Sequence, residues 1–289
     1  MTLFTKLTKQ PKKNLTLCAD DYGQNIAISE GIVTLVERRR INAVSCMVNG
    51  EYWGETYPML RQLNPKPFIG LHLNFTYGAP LSYAWKKQYG LHFPSLTRLI
   101  SKAYLRRLNP EIVTSEIRAQ FDVFTQDLNL RPDFIDGHQH VHQLPVIRDA
   151  LLAVCAQANT NPKQGSTEFR KTVQDWRDFL LRDGFPKRQL ITLLGGFAFR
   201  NRLIRQSIPS NTSFSGIYHF KHAKNYRRYF NQFLAQSQDG GLIMCHPGNP
   251  SDDKQDPQYL CRHHELNYFM SNDYLLDLKN HAVELEFKP

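Results

Sequence analysis

The 289-residue chain is poor in cysteine: Cys18, Cys46, Cys155, Cys245 and Cys261 are odd in number, widely spaced and without a CxxC pair. That argues against a disulfide framework and for a reducing compartment. No apolar run reaches the length of about 18 residues that a membrane-spanning helix needs. The opening MTLFTKLTKQPKKN has too short an apolar stretch and too many lysines for a secretory signal, so a cytoplasmic location is the expectation. Also missing are a GxSxG elbow, a Walker loop, a GxGxxG turn after a strand and an HExxH helix, which removes the commonest serine-hydrolase, nucleotide and zincin readings. No helix-turn-helix, zinc-finger or RNP signature accompanies the basic charge, so nucleic acid is not among the expected partners.

Apolar residues at 41% and charged residues at 21% allow a sizeable core and exclude a disordered, collagen-like or coiled-coil chain. Thirty-six Lys and Arg against 26 Asp and Glu give a formal charge of +10, which suits solubility or attraction to something anionic.

Five short apolar runs end abruptly in polar, chemically capable residues. Leu15-Thr-Leu-Cys-Ala19 leads to Asp20 and Asp21, Ala43-Val-Ser-Cys-Met-Val48 to Asn49, and Phe68-Ile-Gly-Leu71 to His72. Phe134-Ile135 leads to Asp136 and His138, and Gly241-Leu-Ile-Met-Cys245 to His246. Runs without alternation read as strands buried on both faces, which belong to parallel sheets. Helical periodicity falls between them, over Ile26 to Arg39 (Ile28, Ile32, Leu35, Val36), Glu111 to Leu128 (Ile112, Ile117, Phe121, Phe124) and Pro145 to Ala158 (Val146, Ala150, Leu151, Val154). The alternation predicts one α/β domain over residues 1–289 with a parallel sheet, closed or nearly closed. Two segments interrupt it, around 83–108 and 185–215. The second carries Arg200, Arg202 and Arg205 around Leu203 and Ile204, a surface helix or a basic face for membrane lipids.

In parallel α/β folds the loops after the strands converge on one face. Asp20, Asp21, His72, His138, His140 and His246 should therefore meet in one cleft. Adjacent Asp20 and Asp21 would point to opposite faces of a regular strand, but a strand end lets both turn inward. Such a pair suits one metal ligand and one proton acceptor, or a helix cap. His138, His140 and His142 share a face if the strand continues, a ligand-like arrangement, and Asp136 stands where it can orient an imidazole from behind. One carboxylate and two histidines leave room for water and substrate, which fits hydrolysis or a 2-His-1-carboxylate non-haem iron oxygenase. The extra carboxylate and His246, held in the turn Met244-Cys-His-Pro-Gly-Asn249, favour hydrolysis, which needs a base and an acid. A sugar- or lipid-binding module without turnover is the other alternative.

In order and spacing, Ala19-Asp-Asp-Tyr-Gly23, Gly70-Leu-His-Leu-Asn74, Asp136-Gly-His-Gln-His-Val-His142 and Cys245-His-Pro-Gly248 resemble the signature motifs of YdjC-like carbohydrate deacetylases, the ChbG/HpnK group. Arg262-His-His-Glu265 is similar to that family's ending. The resemblance implies a (β/α) barrel of seven or eight strands, complete or not, related to polysaccharide deacetylases. It implies an N-deacetylase that uses one divalent metal ion, Mg²⁺ or Zn²⁺, and releases acetate from an amino sugar of the N-acetylglucosamine type. Asp21, His72 and His138 would hold the metal, Asp20 would be the base and His246 the acid. His140 and His142 become substrate contacts or supports, alongside Asn74, Tyr83, Trp85, Arg170 and Tyr218, with Tyr77 a further candidate cleft wall. The family's Arg-Pro pair after the histidine motif has no full counterpart, and Arg170 is the residue available for it. Details of the histidine motif and the segment before Phe214 look closer to the hopanoid-associated branch. The expected partners are then an N-acetylated glycan or glycolipid, a membrane surface met through residues 200–205 at the inner face, and a second copy of the chain.

Overall fold

In the computed structural model, which describes residues 11–158, 168–171, 192–251, 253, 256 and 258–289, the five apolar runs are all parallel strands. They are β1 (Lys13–Tyr22), β2 (Ala43–Cys46), β3 (Phe68–Leu73), β4 (Phe134–Gly137) and β7 (Gly241–Cys245). Two-residue strands β5 (Glu168–Phe169) and β6 (Phe214–Ser215) extend the sheet to the order β5-β4-β3-β2-β1-β7-β6. Every rung between these neighbours is parallel. The two edges meet where Phe169 bridges Ser210 in parallel, and there the Asn211 amide accepts from Lys171 N (2.8 Å) and donates to Lys171 O (3.0 Å). The expected barrel is thus present, joined at its seam by one bridge and an amide clip instead of a full ladder. A short β8 (Val283–Glu284) pairs with the start of β1.

Helices cover the sheet. Asn25 caps α1 (Ile26–Glu37) through Ile28 N at 2.8 Å, and the predicted stripe Ile28, Ile32, Leu35, Val36 is fully buried. After α2 (Trp53–Gln62), the 83–108 segment forms α3 (Tyr83–Tyr89) and α4 (Leu96–Tyr104). α5 (Pro110–Leu128) buries Ile117 and Phe124 as expected, but Glu116 and Gln120 occupy its inner face instead of Ile112 and Phe121. The reason is polar: Glu116 accepts from Leu81 N and Ser82 N, and Gln120 pairs with both backbone groups of Asn74, so α5 anchors the loop after β3. α6 (Ile147–Ala158) follows the histidine motif.

In the 185–215 segment, residues 185–191 lie outside the described residues. The rest is no simple insertion, since it holds α7 (Phe197–Arg205), seated by Phe199 and Leu203, and supplies barrel strand β6. α8 (Tyr226–Gln236), α9 (Tyr259–Met270) and α10 (Asn272–Asn280) complete the layer. No helix among the described residues is long and apolar enough to cross a membrane.

Candidate metal centre and its surroundings

β1 loses its register with β2 between Ala19 and Tyr22, and Asp21 sits at φ +69. A left-handed backbone at a non-glycine residue costs about 1–3 kcal/mol and has to be held by its surroundings. The irregularity turns both aspartates inward, each to a different task. Asp21 Oδ1 lies 2.8 Å from His138 Nδ1 and 3.4 Å from His72 Nε2. One donor atom from each of the three residues falls within 4.8 Å of the others. Burial alone would raise the Asp21 carboxyl, but His138 and Arg262 beside it hold it well below the usual carboxylate range.

The two imidazoles come from β3 and from the turn after β4. His72 Nδ1 donates to Asp136 Oδ1 at 2.6 Å, in register across the β3–β4 pair, and Ser45 Oγ donates to the same oxygen at 2.5 Å. This fixes the tautomer and leaves Nε2 facing Asp21. Burial opposes a charge on His72, yet Asp136 and Asp20 push it up to about 10. The expected acceptor behind an imidazole is therefore Asp136, and the imidazole it orients is His72.

The strand does not continue through the histidine motif. β4 stops at Gly137, and His138–Gln143 winds as a 3-10 segment with Gln139 and His140 left-handed (φ 52 and 61). The three imidazoles thus do not share a face. His138 joins Asp21 and His72, whereas His140 lies buried with its ring 5.9 Å from Phe214. His142 is fully buried, its Nε2–H donating to Arg170 O at 3.1 Å, and burial drives it down to about 4. Gly137 permits this packing, because a Cβ there would stand 2.9 Å from His142 Nδ1.

Asp20, next to this group, has a partner of its own. Its two oxygens take the Arg170 guanidinium at 2.7 and 2.6 Å, and the same guanidinium lies 2.5 Å from Asp136 Oδ2. Cys18, Asp20 and Asp136 also form a ligand-like group, but Arg170 already occupies its centre. Arg170, expected to touch substrate, is instead 1% exposed and bridges two carboxylates. β7 pairs with β1 through Cys245 and Ala19, which brings His246 to the level of Asp20 on the next strand.

Four further candidates have other surroundings. Trp85 is 1% exposed in an aromatic cluster with Phe75, Tyr89 and Phe93, so it is core and not a cleft wall. Tyr218 is buried with its hydroxyl on Glu265 at 2.6 Å. Asn74 spends its amide on the backbone of Thr76 and Tyr77, which sets the Tyr77 ring 6.4 Å from the His138 ring. Tyr83 is 77% exposed at the first position of α3.

Sequence reasoning left Arg262 and Glu265 without a role. Both lie on the inner face of α9, one turn apart. Arg262 Nη2 donates to Asp21 Oδ2 at 2.8 Å while its Nε donates to Asp256 at 2.5 Å, so Oδ1 is the Asp21 oxygen turned to the imidazoles. Glu265 Oε2 accepts from His246 N at 2.6 Å. The available signal was two charged residues among Cys261, Leu266 and Phe269 on a buried stripe.

The donor set fits a divalent cation. Buried Asp20, Asp21, Asp136 and Asp256 face two buried guanidiniums, Arg170 and Arg262, so carboxylates outnumber guanidiniums by two, and the raised His72 shows how strongly that excess draws a positive charge. Buried charges need such compensation. One carboxylate oxygen and two imidazole nitrogens leave positions open for other ligands.

Fold and site together define a parallel α/β barrel with a carboxylate and two imidazoles converging at its strand ends. The chain belongs to the YdjC-like protein family, whose model matches residues 14–280. It is 28% identical over 156 residues to a carbohydrate deacetylase of Xenopus laevis, covering 51% of this chain and 49% of that one. It is 30% identical over 142 residues to a chitooligosaccharide deacetylase of Enterobacter sp. (strain 638), covering 47% and 52%. The chain thus spans about half the length of the curated relatives it matches. In fold it is similar to a putative cellobiose-phosphate cleavage protein from Enterococcus faecalis V583, with a TM-score of 0.70, 17% identity, and 96% and 98% of the two chains covered. A peptidoglycan N-acetylglucosamine deacetylase aligns with a TM-score of 0.51 at 12% identity, covering 96% and 87%.

Proposed function

We propose that this chain is a metal-dependent N-deacetylase that removes the acetyl group from an N-acetylglucosamine-type sugar in an oligosaccharide or glycolipid. The observation that carries the proposal is the division of labour at the strand ends: Asp21, His72 and His138 converge, while Asp20 is held beside them by Arg170. The relatives' names, carbohydrate deacetylase and chitooligosaccharide deacetylase, support the substrate class.

Asp21 Oδ1, His72 Nε2 and His138 Nδ1 would hold the cation, which supplies polarisation of the acetyl carbonyl and brings the pKa of water from about 16 toward about 7. Asp20, kept oriented by the two Arg170 hydrogen bonds, accepts the proton of the attacking water on a lone pair that Arg170 leaves open. Asp136 keeps the His72 ring fixed throughout. His246 gives a proton to the sugar nitrogen as the C–N bond breaks, so the products are acetate and a free amine. Tyr77, edge-on to His138, offers an aromatic face to the sugar.

The test is acetate release from N-acetylchitooligosaccharides and N-acetylglucosaminyl lipids by protein stripped of metal and reloaded with Mg²⁺ or Zn²⁺. Release that returns with metal is expected, and loaded protein that frees no acetate from any of them would refute the reading. A cytoplasmic location and membrane contact belong to the same proposal. Arg202, Ile204 and Arg205 are exposed on α7, so replacing both arginines by Glu should abolish binding to anionic vesicles; unchanged binding would end that part.

A further inference from the structure

We infer that Glu265 is a positioning residue for His246, fixing both the backbone and the ring of the proposed proton donor from helix α9. This rests on the deacetylase reading and extends it to a residue that touches no reacting atom.

The turn that carries His246 has three backbone donors, since Pro247 has none. Asn249 N donates to Ala27 O at 3.0 Å, and Gly248 N to Arg262 O at 3.3 Å. α1 lies directly on the turn, where a Cβ at Gly31 would come within 2.9 Å of Gly248 Cα and Asn249 N. The third donor, His246 N itself, goes to a side chain, Glu265 Oε2 at 2.6 Å. The other oxygen, Oε1, accepts from Tyr218 OH at 2.6 Å. The Tyr218 ring packs 5.2 Å from Phe220, and Phe220 packs edge-on, 5.5 Å from the His246 ring. One carboxyl therefore closes a circuit that runs from the His246 backbone through Tyr218 and Phe220 back to the imidazole.

Glu265 is 0% exposed, and both of its hydrogen-bond donors are neutral, an N–H and a phenol. A carboxyl in such a place costs stability that a leucine would not. What it provides is a planar pair of acceptors spanning two donors. A displacement of about 1 Å in a reacting group can cost on the order of 100-fold in rate.

The experiment compares two substrates. An N-acetyl sugar expels an amine and needs a proton, whereas an aryl acetate expels a stable phenolate and does not. Replacing Glu265 by Leu is expected to lower kcat on an N-acetylchitooligosaccharide about 10- to 100-fold, with KM and bound metal unchanged, while aryl acetate hydrolysis holds. Glu265→Gln should recover most of the loss. Its amide oxygen accepts from His246 N, and the Tyr218 hydroxyl rotates to accept from its nitrogen. Should the leucine variant fail to fold, Tyr218→Phe, which frees one Glu265 oxygen, must show the same substrate contrast in smaller measure. Equal losses on both substrates, loss of metal or a rise in KM alone would overturn the inference. Wild-type protein that hydrolyses the aryl acetate but no N-acetyl sugar would instead overturn the deacetylase reading itself.

Discussion

Replacing Arg170 by Met removes the charge at the centre of the site while keeping much of the side chain's bulk. Arg170 makes two hydrogen bonds to Asp20 (2.7 and 2.6 Å) and an ion contact to Asp136 (2.5 Å), and all three groups are at most 2% exposed. Its loss leaves two buried carboxylates facing each other. Removing one partner of a buried ion pair costs about 3–5 kcal/mol. Against a typical total of about 5–15 kcal/mol, that is a large share of stability. Urea denaturation with and without divalent metal measures it. The metal-free variant should lose about 3–5 kcal/mol, and metal at 100 times its Kd should return about 2.7 kcal/mol by mass action. Asp136→Asn in the Arg170→Met background should restore part of the loss, because one of the facing charges is gone, whereas independent sites would simply add. An Arg170→Met protein within about 1 kcal/mol of wild type without metal would refute the charge-pairing argument.

Asp21→Ala and His72→Ala should lose bound metal by elemental analysis. Asp20→Asn and His246→Ala should keep it while acetate release falls about 100- to 10,000-fold, and a fully active Asp20→Asn protein would remove Asp20 as the base. Burial pushes Glu265 up from 4.5 to about 7, so the folded protein holds a proton the unfolded chain has released, and stability falls as pH rises between those values. His142, buried neutral at about 4 against an ordinary 6.5, acts oppositely: its contribution is lost as pH falls from 6.5 to 4. The two offset each other between about pH 4.5 and 6.5. Glu265→Gln should therefore show stability rising with pH across that window in urea titrations, and an unchanged profile would contradict the assignment. Trp85→Ala should cost about 3–5 kcal/mol with KM unchanged, as expected for a core residue; a raised KM at full stability would place it in the cleft after all.

The strands were legible because parallel barrels bury them on both faces, which leaves unalternating runs such as Leu15–Ala19 and Gly241–Cys245 that end in polar residues. That same rule gathered Asp20, Asp21, His72, His138, His140 and His246 from local pattern and topology alone, and only the resemblance singled out Asp21, His72 and His138 among them. The rest was decided in three dimensions. Nothing local says that β4 stops at Gly137 and sends His140 and His142 away from His138. The separate duties of Asp20 and Asp21 come from partners far along the chain, Arg170 and Arg262. Trp85 and Tyr218 read as substrate contacts until Phe75 and Phe93 close over the one, and Tyr226, Tyr229 and Glu265 over the other. Composition and periodicity decide which residues end a strand, because burial is a property of each segment's own pattern. Which charge answers which is a property of the assembled barrel, because a guanidinium recognises a carboxylate across space without regard to the residues that separate them.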